Sequence, residues 1–380
     1  MPNFSGVWNL KDQVQAIAAG RWTGVPFYEL YAWGANNRGQ IGDGTVVNRS
    51  SPVQIGTLTN WSQVAAGGNH SVSVKTDGTL WAWGYNFFGQ LGDGTVVYRS
   101  SPVQIGDLTN WSQVAAGFNH SASVKTDGTL WAWGVNANGQ IGDGTVVYRS
   151  SPVQIGALTN WAQVAASGNN AASVKTDGTL WAWGRNNRGQ IGDGTIINKS
   201  SPVQIGALTN WSQVAAGNTH TASVKTDGTM WAWGLNSSGQ LGDGTVVYRS
   251  SPVQIGGLSN WAQVSAGGNH SASVKTDGTL WSWGASGNGE IGDGTVVNKS
   301  SPVQIGALTN WAQVSAGTNH TVSVKTDGTM WAWGLNSSGR IGDGTVINRS
   351  SPVQIGALTN WAQAAAGGSL TVALLQGSSN

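Results

Sequence analysis

The sequence predicts an all-β fold, a seven-bladed β-propeller of four-stranded blades, and three observations lead to that prediction. A unit of 50 residues recurs without slippage, so Trp33 and Trp83 begin a series that ends at Trp333. Glycine is abundant at 57 residues, whereas glutamate, a strong helix former, occurs only at Glu29 and Glu290. Each unit contains several short segments with the alternation of half-buried strands. Radial repetition of short strands at this period is typical of a propeller.

Each unit predicts four strands, named A to D in chain order. In the first complete unit they cover 61–67, 70–76, 80–84 and 102–105. Asp77-Gly78 between strands B and C is a hairpin signal, because glycine accepts a positive φ. Pro102 suits an edge strand, where a missing amide hydrogen is harmless. The small residues that end strand A suit the crowded axis of the ring, and Trp81 and Trp83 suit the surfaces where blades stack.

The ends of the chain predict how the ring closes. Strands C and D first appear near 31–33 and 52–55, whereas the last strands A and B appear at 361–367 and 371–376. The seventh blade should therefore be shared by both ends of the chain, which leaves no free sheet edge between blades. The predicted domains are a leader, 1–26, and the propeller, 27–380.

The leader predicts a short helix from Asn9 to Gly20, with Asn9 as its cap. Its string FSGVWNLKDQVQAIAAGRW resembles leaders of phage virion proteins. Four apolar side chains of this segment are predicted to anchor the propeller to a larger assembly: Trp8, Leu10, Val14 and Ile17. The alternative is a helix that packs across the closed blade.

Composition excludes several classes of partner. The net charge is +2 and only 9% of residues are charged, so no electrostatic footprint for nucleic acid or an anionic membrane is present. We expect no membrane insertion, because the sequence shows no signal peptide and no transmembrane segment. Cysteine is absent. Three locations remain as alternatives: a virion, the bacterial cytoplasm, or export by a route other than Sec.

Polar residues that repeat with the fold are interpreted as structural. The histidines share one repeat position: His70, His120, His220, His270 and His320. A sevenfold ring holds equivalent residues apart, so we expect them to bond backbone at a turn and to hold no metal. The carboxylates of the GDGT loops are expected to accept loop amide hydrogens. No catalytic spacing is present, so we predict a protein that is not an enzyme and needs no cofactor.

The string VAAGxNHSxSVKTDGTLWAWGxNxxGQLGDGT resembles the repeat of the RCC1 (regulator of chromosome condensation) family over residues 27–376. The resemblance implies a seven-bladed propeller. Family members include a guanine-nucleotide exchange factor, a plant ultraviolet photoreceptor and bacterial inhibitors of β-lactamase. The strict spacing leaves no room for the insertion that the exchange factor uses. The photoreceptor's tryptophan is replaced in every unit here, by Gly68, Phe118, Gly168, Asn218, Gly268, Thr318 and Gly368. With the exchange factor and the photoreceptor disfavoured, the resemblance implies a bacterial or viral binding propeller.

The units differ mainly in the A–B loop and at the start of the C–D loop, which emerge on one face of an up-and-down blade. Diversity on one face of a rigid scaffold is typical of binding loops, whereas neutral drift should mark both faces alike. We therefore predict a non-enzymatic binding or adhesion propeller, on a phage virion or a bacterial surface, that recognises a protein or glycan. The alternatives are a purely structural assembly protein and a designed consensus repeat. The predicted ligand-binding residues are Tyr85, Phe87, Phe88, Phe118, Arg185, Arg188 and Arg38.

Overall fold

A computed structural model describes residues 27–377, and these residues form seven four-stranded antiparallel sheets. The predicted fold class and blade count are confirmed. The predicted helix and its anchor residues lie outside the described residues, as does the extreme C terminus. Within 27–377 no helix has the length and apolar character needed to cross a bilayer.

The strands recur at fixed positions in every blade. The A strands are β3 (Trp61–Ala66), β7 (Trp111–Ala116), β11 (Trp161–Ala166), β15 (Trp211–Ala216), β19 (Trp261–Ala266), β23 (Trp311–Ala316) and β27 (Trp361–Ala366). The B strands are β4 (His70–Lys75), β8 (His120–Lys125), β12 (Asn170–Lys175), β16 (His220–Lys225), β20 (His270–Lys275), β24 (His320–Lys325) and β28 (Leu370–Gln376). The C strands are β5 (Leu80–Gly84), β9 (Leu130–Gly134), β13 (Leu180–Gly184), β17 (Met230–Gly234), β21 (Leu280–Gly284), β25 (Met330–Gly334) and β1 (Tyr28–Gly34). The D strands are β6 (Arg99–Gln104), β10 (Arg149–Gln154), β14 (Lys199–Gln204), β18 (Arg249–Gln254), β22 (Lys299–Gln304), β26 (Arg349–Gln354) and β2 (Arg49–Gln54).

Blades 1 to 6 each use four consecutive strands, from β3–β6 to β23–β26, and blade 7 has the order β2-β1-β28-β27. Strands β1 and β28 pair without interruption, from Tyr28 opposite Gln376 to Gly34 opposite Leu370. The prediction of a blade shared by both ends of the chain is therefore confirmed.

Strand D begins earlier than predicted, at Arg99 instead of Pro102. Arg99 lies opposite Gly84 at the end of strand C, and the register then shifts before Val103 pairs with Ala82. Pro102 falls within this irregularity, where the ladder does not need its missing amide hydrogen. Pro102 therefore identified the edge strand in the sequence, but the start of the strand at Arg99 was not predicted.

The core is divided among the seams between neighbouring blades. Between blades 1 and 2, Trp111 and Trp133 pack on Val72, Leu80 and Ile105 of the preceding blade. The two indole rings meet edge to face at 6.2 Å. The prediction that the tryptophans lie where blades stack is confirmed, and it follows from the large apolar area that each ring buries.

A belt of side-chain amides closes the ring around the axis. The A strands line a central cavity of about 280 Å³. Gln113 donates from Nε2 to the carbonyl of Val164 at 2.9 Å, and Val164 N donates back to Gln113 Oε1 at 2.9 Å. The same contact spans the two chain ends, where Val64 N donates to Gln363 Oε1 at 3.3 Å. Each inner strand thereby gains a partner for backbone groups that no neighbouring strand pairs.

Candidate functional site: the varied loop face

The A–B and C–D loops lie on the same face of the propeller, here called the varied face. Tyr85 N in the C–D loop donates to Asn69 O in the A–B loop at 2.9 Å. On the opposite face, here called the uniform face, Thr76 N of the B–C turn donates to Asn60 O of the D–A connection at 2.8 Å. These contacts agree with the loop parity on which the site prediction depends.

The C–D loops are held by a buried polar frame that recurs in most units. Asn86 donates to Asp93 Oδ1 at 3.1 Å and accepts the amide of Leu91 at 2.9 Å. Asp93 accepts the amide of Thr95 at 3.0 Å, as predicted for the GDGT loops, and its other oxygen pairs with Arg99 Nη2 at 2.8 Å. Burial by itself would raise the pKa of Asp93, but the hydrogen bonds from Thr95 and Arg99 outweigh it and hold the pKa below 3.8. The frame leaves the side chains at the loop tip to differ between units.

Five aromatic side chains of neighbouring C–D loops touch one another and form what we call the aromatic patch: Tyr85, Phe87, Phe88, Tyr98 and Tyr148. Tyr85 and Tyr98 lie 4.9 Å apart between ring centroids, and Phe87 and Phe88 lie 5.0 Å apart. Phe88 reaches Tyr148 of the next blade at 5.8 Å. Phe87 is 60% exposed. An exposed apolar cluster of this kind is typical of an interaction surface.

Arg38 lies at the edge of the aromatic patch. Its guanidinium carbon lies 5.4 Å from the ring centroid of Tyr85 and 5.6 Å from that of Tyr98. Arg188 makes the same contact on blade 3, at 5.6 Å from the ring centroid of Tyr248. Both arginines therefore lie above aromatic faces, which attract a cation through the ring quadrupole.

The structure does not bring all predicted residues together. Phe118 lies at the rim of the central cavity with its ring against Gly68, apart from the aromatic patch. Arg185 is half-buried and Arg188 is exposed, and both lie on the blade 3 loop rather than beside the patch. Tyr98 and Tyr148 belong to the patch but were not predicted, because they stand at the end of the C–D loop, one residue before strand D, and not at its varied start.

The varied positions come in pairs that cross the seams between blades. Phe88 contacts Tyr148, Arg188 contacts Tyr248, and Asn198 Nδ2 donates to Asn138 Oδ1 at 3.3 Å. The partners are 60 residues apart in six pairs, and the seventh pair joins the two ends of the ring: Arg38–Tyr98, Phe88–Tyr148, Asn138–Asn198, Arg188–Tyr248, Ser238–Asn298, Asn288–Asn348 and Ser338–Asn48. A tyrosine always stands opposite arginine or phenylalanine, and an asparagine always stands opposite asparagine or serine. The variation is therefore matched across seams, a signal that comparing positions 60 apart would have found.

The histidines bond across the seams as well, so the predicted backbone partner is wrong. His70 Nε2 lies 2.9 Å from Ser121 Oγ, which donates to the carbonyl of Gln90 at 2.8 Å. Because the serine proton is used in that bond, the imidazole must donate through Nε2–H. Complete burial, with a smaller contribution from the nearby imidazole of His120, lowers the pKa of His70 to about 3. Among residues 27–377, no three potential metal ligands converge.

One unit interrupts this arrangement. Ala171 stands where the next blade should supply a hydroxyl to His120, and both ring nitrogens of His120 are left without a partner. Asn170 replaces the histidine of its own unit, and its buried side-chain amide is also unpaired. Unpaired buried polar groups each cost about 1–3 kcal/mol, so the seams on both sides of blade 3 should be weaker than their equivalents.

Seven sheets in a closed ring, with framed loops on one face, define a seven-bladed propeller of the RCC1-like class. Family membership is shown by the sequence itself. The chain belongs to the family described as regulator of chromosome condensation (RCC1) repeat, whose model matches residues 29–74, 77–124, 127–174, 177–224, 227–274, 277–324 and 327–374.

Solved structures share the fold at low sequence identity. Human WBSCR16 superposes with a TM-score of 0.83 at 21% identity, over 92% of this chain and 99% of that one. Prp20p from Saccharomyces cerevisiae gives 0.82 at 21% identity, over 94% of this chain and 93% of that one. No curated protein sequence matches the chain.

Proposed function

We propose that this propeller is a non-enzymatic binding protein that recognises a protein or glycan partner through the varied face. The observation that carries the proposal is the aromatic patch with Arg38 at its edge. Exposed rings backed by other rings lose little conformational freedom on binding, and aromatic and arginine side chains dominate binding hot spots. At the positions of Phe87 and Phe88 the other units carry asparagine, serine, alanine, glycine or arginine, so an aromatic loop tip distinguishes blade 1 from the rest.

The likeness to Prp20p, a protein studied for binding to Gsp1p and histones, is compatible with a protein partner but shows the fold alone. The further proposal, adhesion on a phage virion or bacterial surface, is supported by the resemblance of the leader to phage leaders. Phe118, Arg185 and Arg188 remain proposed contacts on the same face, and Trp8, Leu10, Val14 and Ile17 remain the proposed anchor.

The test uses a double variant of the patch, Phe87→Ser with Phe88→Ser. Probes are a glycan array and a random peptide-display library selected on the unmodified protein. Removing two aromatic anchors should weaken binding by at least about tenfold, since a hot-spot side chain contributes on the order of 2 kcal/mol. The matched control is Asp107→Ser on the uniform face, which should bind like the parent. Equal binding by all three proteins would contradict the proposal.

A second function, a purely structural assembly component, is favoured by the pairing of varied positions across seams. If that is the function of the pairs, the patch variant should lose stability without losing any selected ligand. Unfolding measured on the same samples separates the two functions. Removal of residues 1–26 then tests whether the leader attaches the propeller to a larger assembly.

A further inference from the structure

One repeat position at the base of the C–D loop carries an acceptor in six units and a buried arginine in the seventh. The residues are Gln40, Gln90, Gln140, Gln190, Gln240, Glu290 and Arg340. In the first six, a side-chain oxygen accepts the backbone amide two residues earlier; Phe88 N donates to Gln90 Oε1 at 3.0 Å. Glu290 keeps this role, because its two oxygens accept Asn288 N at 2.8 Å and Asn288 Nδ2 at 2.7 Å.

Arg340 reverses the chemistry of the position, because a guanidinium only donates. Its Nη1 donates to Gly368 O at 3.1 Å and its Nη2 to Ser337 Oγ at 3.4 Å. Its Nε is buried without a partner. Ser338 N, the amide that this position caps in other units, has no acceptor among residues 27–377. The site therefore presents donors and lacks an acceptor.

The charge of Arg340 is also uncompensated. The side chain is 5% exposed, and within the described chain its guanidinium forms no ion pair, whereas Arg49, Arg99 and the other strand D cations each pair with an aspartate. Burial lowers the pKa of Arg340, and the same charge adds to burial in lowering the pKa of His320. A buried ion without a counter-charge is destabilising by several kcal/mol. An anionic group bound here would compensate this charge.

We propose that Arg340 and the amide of Ser338 form an oxyanion site, for a carboxylate or phosphate group, at the seam between blades 6 and 7. The planar fork of arginine matches the paired oxygens of such groups. The site lies on the varied-face side of the blades, because Gly368 belongs to the A–B loop of blade 7. Going round the ring, the next seam carries Arg38 and the one after it carries Phe88. The site is independent of the aromatic patch and adds a chemical class of ligand to the same face.

The experiment compares the full chain with Arg340→Gln, which installs the residue that five units already carry and should therefore fold. Thermal unfolding is followed at constant ionic strength in sodium chloride, acetate and inorganic phosphate. Ligand that binds only the folded state stabilises it. When phosphate or acetate replaces chloride, the melting temperature of the parent should rise by about 2 °C or more beyond that of Arg340→Gln, because the general stabilising effect of phosphate acts on both proteins. Lys299→Gln, which removes one positive charge from a strand D cation that pairs with Asp293, is the charge-matched control and should respond like the parent.

The two oxyanions separate the sources of the ligand group: a response to phosphate alone indicates a phosphoryl group, and a response to acetate indicates a carboxylate. Equal responses by the parent and Arg340→Gln, including no response by either, would overturn the proposal. The patch variant should keep the anion response, so a failure of this site and a failure of the binding function remain distinguishable.

Discussion

The varied and uniform faces of the propeller are joined in different ways. On the varied face, side chains reach the next blade: His70 bonds Ser121, and Phe88 packs on Tyr148. On the uniform face, the side-chain hydrogen bonds of the B–C turn stay within one blade. There, Asp77 accepts from Thr79 Oγ1 at 2.7 Å, and Trp81 Nε1 donates to the same Thr79 oxygen at 2.9 Å.

The lysines of the uniform face follow the same rule. Lys75 Nζ lies 3.7 Å from the ring centroid of Trp81 and 4.8 Å from that of Trp61, both in its own blade. Where the partners of a side chain lie in its own blade, the same residues can recur in every blade around the ring. A residue whose partner belongs to the next blade can change only if that partner suits it, which explains why the varied positions differ in matched pairs.

Lowering the pH should cause the largest loss of stability that distinguishes the two faces. Burial lowers the pKa of His220 to about 3 and of His270 to about 4, below the unfolded value of 6.5. The unfolded state therefore binds more protons, and the stabilisation is full above pH 6.5 and is lost as the pH falls from there toward 4. Each histidine should lower the free energy of unfolding by about 1.4 kcal/mol for every pH unit that the pH falls within that window. Urea unfolding between pH 7 and pH 5 should show a combined loss of several kcal/mol.

The uniform face supplies the contrast for that experiment. The hydrogen bond from Thr79 lowers the pKa of Asp77 below 3.8, so its contribution is lost only in more acidic solution. Stability that stays flat between pH 7 and pH 5 would show that the histidines are not buried in neutral form.

Ser121→Ala should be the most damaging single substitution of this series, by about 1–3 kcal/mol, because it leaves buried His70 without an acceptor. Ser62→Ala removes a hydroxyl that bonds Val74 O within one blade, and four units already carry alanine there. That control should stay within about 0.5 kcal/mol of the parent. Chemical denaturation of both variants decides the matter, and equal losses would remove the distinction between the faces.

Ala171→Ser should stabilise the protein by about 1 kcal/mol, because it supplies His120 with the hydroxyl that neighbouring seams already have. The matched control is Ala162→Ser, at a position where other units alternate between serine and alanine. Calorimetry should show a higher melting temperature for Ala171→Ser alone. If it unfolds like the parent or earlier, the seam is not weakened by the missing hydroxyl.

The smallest effect concerns the matched pairs. Changing Asn138→Arg together with Asn198→Tyr copies the pair Arg38–Tyr98 into another seam. The free energy of unfolding of the double variant should exceed the value expected from the sum of the two single changes by about 0.5–1 kcal/mol. A double-mutant cycle at Thr57 and Asp107, on the uniform face of different units, should be additive. Additivity in both cycles would mean that the pairing is coincidental.

The regular part of the molecule was predictable because a repeat shows the same pattern many times. Strand B at His70–Lys75 and strand C at Leu80–Gly84 were located to within one residue, since alternation, the Asp77-Gly78 turn and the tryptophan spacing agree in every unit. The shared blade followed from which strands are missing at each end. The start of strand D was predicted three residues too late, because its irregular pairing leaves no alternating pattern before Pro102.

The sequence by itself determined the number of blades, the strand order and the closure. The strand order follows from the periodicity within each unit, and the blade count and the closure follow from the number of units and from the strands missing at each end. The sequence also separated a varied face from a uniform one. Only the tertiary structure decided which varied residues meet, since the partners of Phe88 and His70 lie 60 and 51 residues away on the next blade. It likewise separated Phe118 from the aromatic patch and left Arg340 buried without a counter-charge. Contacts across a seam depend on the rotation between blades, which no single unit encodes.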